Sequence, residues 1–296
     1  MRLRTLPLSL AGIIMGIFLA VSDGHCNPRT ILFLVLTTIS LQVLSNLSNE
    51  LGDTLHGTDS AEQRQGMHYS LMDGGMTIGD IRKLIAGSVV ASIIFGTIMV
   101  WCSFGTVADW YPAAFLILGA FAVWAAMHYT LGKHPYGYIA LGDLFVFIFF
   151  GVATVLGGYL LCAHTVSSWS VLLPTAAIGF FSVGVLNVNN IRDMKTDAST
   201  RVTVAIMFGN NGSRIYHTVL ICFGWISMLT FTILRLLNGS GSLWQFLYLL
   251  TLPLFIMHLK GVWTRHDREL DAMLPMLVMS SFAFSLLSGI GLLLNI

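Results

Sequence analysis

The chain has 296 residues, 55% of them hydrophobic and only 10% charged, with a formal net charge of +1. Soluble domains carry roughly a quarter charged residues, so this composition excludes a water-soluble globular protein and makes the lipid bilayer the chain's solvent. It carries no extended basic stripe, which argues against a nucleic-acid partner. In lipid the backbone is satisfied only in helices or closed barrels, and continuous rather than alternating apolar runs select helices. The expectation is an all-α integral membrane protein.

Stretches able to cross about 30 Å of hydrocarbon fall at residues 6–22, 30–48, 84–105, 111–129, 141–163, 170–189, 216–237, 243–259 and 273–294. That predicts about nine transmembrane helices. The first follows Arg2 and Arg4, and its Pro7 fits a retained helix better than a cleaved signal segment. With a cytoplasmic N-terminus and nine crossings, only Arg29 and Arg235 of the 15 Lys and Arg residues fall outside, as the positive-inside rule requires. The sequence therefore reads as a multi-pass protein of the cell inner (plasma) membrane. Its outer connections, 23–29, 106–110, 164–169 and 238–242, are short, whereas inner connections 49–83, 190–215 and 260–272 are long and charged. The active site is expected on the cytoplasmic face. Cys26, Cys102, Cys162 and Cys222 lack metal-ligand spacing and read as packing residues.

Two polar helix ends stand out on that face. After the second window comes "SNLSNELGDTLHGTD", with Asn49, Asp53 and Asp59; after the sixth comes "NVNNIRDMKTD", with Asn189, Asp193 and Asp197. The two helices lie four apart, so one domain over residues 1–296 is expected, made of two pseudo-repeats of four helices plus a ninth. Spacing of four places Asn49 with Asp53, and Asn189 with Asp193 and Asp197, on common helix faces. Like charges there repel, and a shared cation relieves the repulsion. Magnesium suits the chemistry, because it takes oxygen ligands and completes its shell with water and substrate phosphates. Solvated helix caps are the bland alternative, which the matched positions disfavour. Arg64, Arg82, Lys83, Lys133, Arg192, Lys195 and Arg201 accompany the acids, and magnesium with Arg or Lys is how proteins hold phosphoryl groups. No Walker or Rossmann glycine motif is present. Gly151, Gly157 and Gly158 read as helix-packing positions.

These residues carry a family likeness. "NELGDTLHGTD" resembles the N-D-x-x-D-x-x-x-G-x-D motif, and "NNIRDMKTD" the D-x-x-x-D motif, of the UbiA-type intramembrane aromatic prenyltransferases. "RLRTLPLSLAGIIMG" is similar to that family's N-terminal segment, and "YTLGKHPYGYIALGDLFVFIFFG" to its branch acting on 1,4-dihydroxy-2-naphthoate in menaquinone synthesis. The resemblance spans essentially the whole chain. It departs at Glu50, where the family usually has Asp, and in "SLMDGGMTIGD", where relatives often carry a basic pair that Arg64 or Arg82 here replaces.

The resemblance implies nine helices around a central cavity, and transfer of a polyprenyl group from its diphosphate to the naphthoate ring with loss of diphosphate and carbon dioxide. It implies Mg2+ as cofactor, with Asp53, Asp59, Asp193 and Asp197 as metal-binding catalytic acids. Lys133 joins them as a catalytic residue drawing charge off the departing oxygens, and Asn49, Arg64, Arg192, Asn189 and Arg201 bind diphosphate. The implied partners are the polyprenyl diphosphate, the aromatic acceptor and the lipid, with no obligate protein partner evident. Tyr129, Tyr136, Tyr138, Phe145, Phe147, Phe149 and Phe150 offer aromatic faces to an allylic cation, and His56, His68 and His134 are candidate bases. A 4-hydroxybenzoate, homogentisate or haem-type acceptor stays open. So does a secondary transporter with paired acidic cation sites, although no window has a carboxylate at its centre.

Overall fold

The computed structural model describes residues 5–25, 27–56 and 75–294. Within them run nine helices: α1 Leu6–Ser22, α2 Pro28–Leu55, α3 Ile78–Phe104, α4 Trp110–His128, α5 Gly142–Ala163, α6 Trp169–Arg192, α7 Val204–Leu237, α8 Leu243–Thr264 and α9 Asp267–Leu293. Eight of them, α2 to α9, are long and apolar enough to cross a membrane. The remaining helix, α1, has 17 residues and reaches about 25 Å, the short end of the spanning range. Among the described residues the only β pairing is an isolated bridge.

Local chemistry sets the helix ends. Pro28 opens α2, and the Asn27 side chain accepts from the N–H groups of Arg29 and Thr30. The same amide donates to Cys102 O at 2.9 Å, tying the start of α2 to the end of α3. Thr77 and Asp80 form a reciprocal capping box on α3, which Gly105 ends at φ 71°. Two helices outrun their apolar windows. The hydrogen-bond ladder needs no apolar side chains, so α2 continues to Leu55 and holds Asn49 and Asp53 inside the helix rather than in the connection. Likewise α7 begins at Val204, with a break at Gly209.

Helix α6 is the central column: 72% of its apolar window is buried, against 11% for α4. It packs on α1, α5, α7 and α9, while α2 packs on α3 and α4. Phe181 of α6 contacts Phe255 of α8 and Phe284 of α9 at ring separations of 4.7 and 5.1 Å, and Trp225 of α7 closes this aromatic knot. Small residues let backbones touch elsewhere. A Cβ on Gly151 of α5 would lie 2.8 Å from Gly179 Cα of α6, and one on Gly16 of α1 would collide with Val155 O of α5.

The middle of α5, Phe147–Leu156, winds as a π-helix, a form frequent at functional sites. It turns Phe149, Phe150, Ala153 and Thr154 toward a cavity of ≈ 340 Å³ enclosed mainly by α1, α2, α4, α5 and α6. One end of that cavity is polar, and there the ends of α2, α4 and α6 meet the start of α9.

Candidate active site

Two connections are zipped together first. Ala140 N–H donates to Val202 O at 2.9 Å and Val202 N–H to Tyr138 O at 3.0 Å, pairing the α4–α5 connection with the α6–α7 connection. This delivers Arg201 to both acid motifs. Its Nη2 lies 2.8 Å from Asp197 Oδ1, and its Nη1 lies 3.8 Å from Asp53 Oδ1. The guanidinium carbon sits 5.1 Å from the Tyr138 ring centroid, and the Tyr138 hydroxyl donates to Asp53 Oδ1 at 3.4 Å. Asp53 and Asp197 are each 2% exposed. Burying carboxylates side by side is costly without a compensating cation, and Arg201 supplies one positive charge to both.

A second arginine organises the end of α6. Arg192 grips Asp193 with two bonds, Nε to Oδ1 at 2.8 Å and Nη2 to Oδ2 at 2.6 Å. It also donates to Asn189 Oδ1 at 2.8 Å and to Asp271 Oδ1 of α9 at 2.7 Å. Asp193 caps α6, and one further turn, Met194–Asp197, follows it. The two acids are thus one turn apart, as their spacing predicts, yet each takes its own arginine. Nearby, Lys195 pairs with Asp267 on the exposed rim at 2.8 Å.

The α2 side is fixed by close packing. Thr130 donates to Ser48 O at 3.0 Å and lies 3.2 Å from Asn49 Oδ1. This approach requires glycine at 52, since a Cβ there would stand 2.7 Å from Thr130 O. Asn49, Asp53, Asn189, Asn190 and Arg201 line the polar end of the cavity. Glu50 is buried but is not part of that lining.

Other predicted site residues lie elsewhere. Lys133 and His134 are exposed on the α4–α5 connection, outside the cavity lining. His56 is exposed, bonds Gly52 O through Nδ1 at 2.9 Å and meets the Tyr138 ring edge-on. Arg82 is exposed on α3, and Lys83 pairs with Asp80 at 3.9 Å. Asp59, Arg64 and His68 lie outside the described residues. Of the aromatic candidates, Tyr129, Tyr136, Phe145, Phe149 and Phe150 line the cavity; Phe147 packs on Phe180 instead, at 5.1 Å. Tyr136 donates to Ala125 O at 2.8 Å, and burial, reinforced by Tyr129, pushes its phenol upward, keeping it neutral.

Sequence reasoning missed Asp271, Thr130 and Asn190. Thr130 and Asp271 act through contacts distant in the chain, which no local spacing encodes; Asn190 was legible as the second Asn of "NVNN". The donors assembled here are oxygens only: the carboxylates of Asp53, Asp193 and Asp197 and the amide oxygens of Asn49 and Asn189. Among the described residues no three carboxylate, thiolate or imidazole groups converge as a ready metal cluster. Magnesium usually takes one or two protein carboxylates and draws its other ligands from water and phosphate, so this donor set fits it.

Residues 9–284 match the UbiA prenyltransferase family. The chain is 36% identical to the 1,4-dihydroxy-2-naphthoate octaprenyltransferase of Escherichia coli (strain K12), across 100% of this chain and 94% of that protein. It is 33% identical to the protein of the same name from Haemophilus influenzae, across 99% and 94%. The fold resembles the apo structure of a UbiA homolog from Aeropyrum pernix K1, with a TM-score of 0.70 at 15% identity, covering 100% of this chain and 99% of that one.

Proposed function

We propose that this chain, which belongs to the UbiA prenyltransferase family, transfers a polyprenyl group from polyprenyl diphosphate to 1,4-dihydroxy-2-naphthoate. Diphosphate and carbon dioxide leave, and demethylmenaquinol is the product. The acceptor assignment rests on the relatives' names and on identity over nearly their full length. The observation that carries the chemistry is the meeting of Asp53 and Asp197 on Arg201, at the polar mouth of a largely apolar cavity.

The cavity meets two opposed demands. A polyprenyl tail is driven into apolar surroundings at roughly 0.8 kcal/mol per methylene, whereas its diphosphate requires polar, charged partners. Asp53, Asp193 and Asp197, with Asn49 and Asn189, would hold magnesium, which when bound neutralises negative charge on the diphosphate. Asp59, at the family's motif position, completes this set in our reading. Arg201 and Arg192 donate hydrogen bonds to the departing oxygens, and charge-assisted donors aimed at developing charge are the stronger kind. Breaking the allylic C–O bond leaves a cation, which Tyr129, Tyr136, Phe145 and Phe149 shield from water and attract through their ring faces. Thr130 keeps Asn49 in place, and Asp271 keeps Arg192 against Asp193.

We read the α2 and α6 ends as equivalent positions in two four-helix halves. By the distribution of basic residues, the mouth opens to the cytoplasm from the inner membrane. The test is product analysis with membranes containing the protein, magnesium, a polyprenyl diphosphate and dihydroxynaphthoate. Prenylated product and carbon dioxide are expected, both abolished by EDTA and restored by added magnesium. Prenylation of 4-hydroxybenzoate alone would replace the acceptor, and transfer to no ring at all would overturn the assignment.

A further inference from the structure

One part of the cavity wall is wrong for a hydrocarbon tail. On α2, Thr38, Gln42, Ser45, Asn46 and Asn49 recur at spacings of three and four, which stacks them into one ridge, and all five line the cavity. The facing wall, with Phe115 and Leu118 of α4 and Phe149 and Phe150 of α5, is apolar. Near the middle of the ridge a buried network forms. Ser9 of α1 donates to Gln42 Oε1, and Gln42 Nε2 donates to Thr5 Oγ1 at 2.9 Å and Asn46 Oδ1 at 3.2 Å.

Adhesion between α1 and α2 accounts for part of this network, since polar side chains commonly join helices in lipid. It does not account for Thr38 and Ser45. Their hydroxyls face the same cavity and reach no hydrogen-bond partner among the described residues. Polar groups kept on a greasy wall need a polar occupant. The ridge offers amides and hydroxyls and no charge above Asp53, so it suits neutral ring hydroxyls rather than a carboxylate, which favours a cation. Asn46 lies two helical turns from Asp53, about 10 Å along the axis. A fused aromatic ring placed there sits beside the carbon that loses diphosphate.

We propose that the ridge of Thr38, Gln42, Ser45 and Asn46 is the subsite that reads the hydroxyl groups of the aromatic acceptor, leaving the α4 and α5 wall to the prenyl tail. The proposal rests on the prenyl-transfer reading above. Hydrogen-bonding sites discriminate strongly against analogues that lack the bonded group.

The experiment compares wild type with Ser45→Ala, Thr38→Val and Gln42→Leu in steady-state prenylation. Dihydroxynaphthoate is compared with 1-hydroxy-2-naphthoate, and KM is measured for acceptor and donor separately. Ser45→Ala and Thr38→Val remove no side-chain hydrogen bond found among the described residues, so folding is not at stake for them. Each is expected to raise the acceptor KM roughly fivefold, the size of one hydrogen bond, with the donor KM within about twofold. Gln42→Leu is expected to erase most of the preference for the dihydroxy acceptor. Wild-type acceptor constants in all three variants, or acceptor and donor constants rising together, would overturn the ridge while leaving the enzyme reading intact. A wild type that prenylates no dihydroxynaphthoate would instead bring down the reading itself, and the ridge with it.

Discussion

At the end of α6 each carboxylate has its guanidinium nearby in the chain: Arg192 beside Asp193, and Arg201 one turn beyond Asp197. At the end of α2 the partners seen among the described residues come from far along the chain. Asp53 is met by Tyr138 and Arg201, which arrive on two other connections, and Asn49 is met by Thr130. The burial of the two helices differs in the same sense, 72% of the apolar window for α6 and 39% for α2. The α6 end thus draws its arginines from its own stretch of sequence beside a central column, whereas among the described residues the α2 end is met by side chains from other connections. Arg201 belongs to both.

The strongest way to break this relation is at Arg201. Arg201→Met removes the cation that Asp53 and Asp197 share, and kcat/KM for the donor is expected to fall roughly 10²–10³-fold. Removing one partner of a buried ion pair also costs on the order of 3–5 kcal/mol, so the melting temperature in detergent should drop with it. A fall below about tenfold would mean that the two ends do not meet functionally.

Gly52→Val probes the α2 end alone. A side chain there meets the Thr130 backbone, and overpacking of this kind costs roughly 1–3 kcal/mol. Loss of thermal stability together with weaker donor binding is expected, and an unchanged melting curve would contradict the close approach. Asp271→Asn probes the α6 end. It weakens one anchor of Arg192 and leaves Asp193 in place, so the donor KM should rise severalfold, about 1 kcal/mol, with kcat nearly intact. Lys133→Met sharpens the boundary of the site. Its side chain is exposed away from the cavity lining, and kcat/KM is expected to stay within about twofold, as for most surface substitutions.

The sequence displayed the fold class, the helical segments and the acid-bearing ends with little ambiguity, because lipid imposes long apolar runs and makes polar residues at their ends conspicuous. Asp53 and Asp197 are readable from spacing and Arg201 as a basic companion, but not that Arg201 joins the two acids. That contact depends on a short backbone pairing between Tyr138 and Val202, which no periodicity announces. Helix α2 also runs further than its hydropathy, since peptide hydrogen bonding continues after the side chains turn polar. The ridge at Thr38, Gln42 and Asn46 was present in the sequence at helical spacing. Averaged into an apolar window, it does not alter the mean hydropathy enough to stand out. Lys133, expected from its sequence position to draw charge off the diphosphate, is exposed on the α4–α5 connection outside the cavity lining.

The central claim is that two acid motifs on different helices work as one diphosphate site. A double-mutant cycle on Asp53→Asn and Asp197→Asn, read as kcat/KM for the polyprenyl diphosphate at saturating acceptor and magnesium, tests it most directly. Residues acting as a unit lose function non-additively. Each single substitution should therefore cost roughly 10²-fold or more, and the double variant should be little worse than the poorer single. Losses that simply multiply would show two independent contributions and contradict the account.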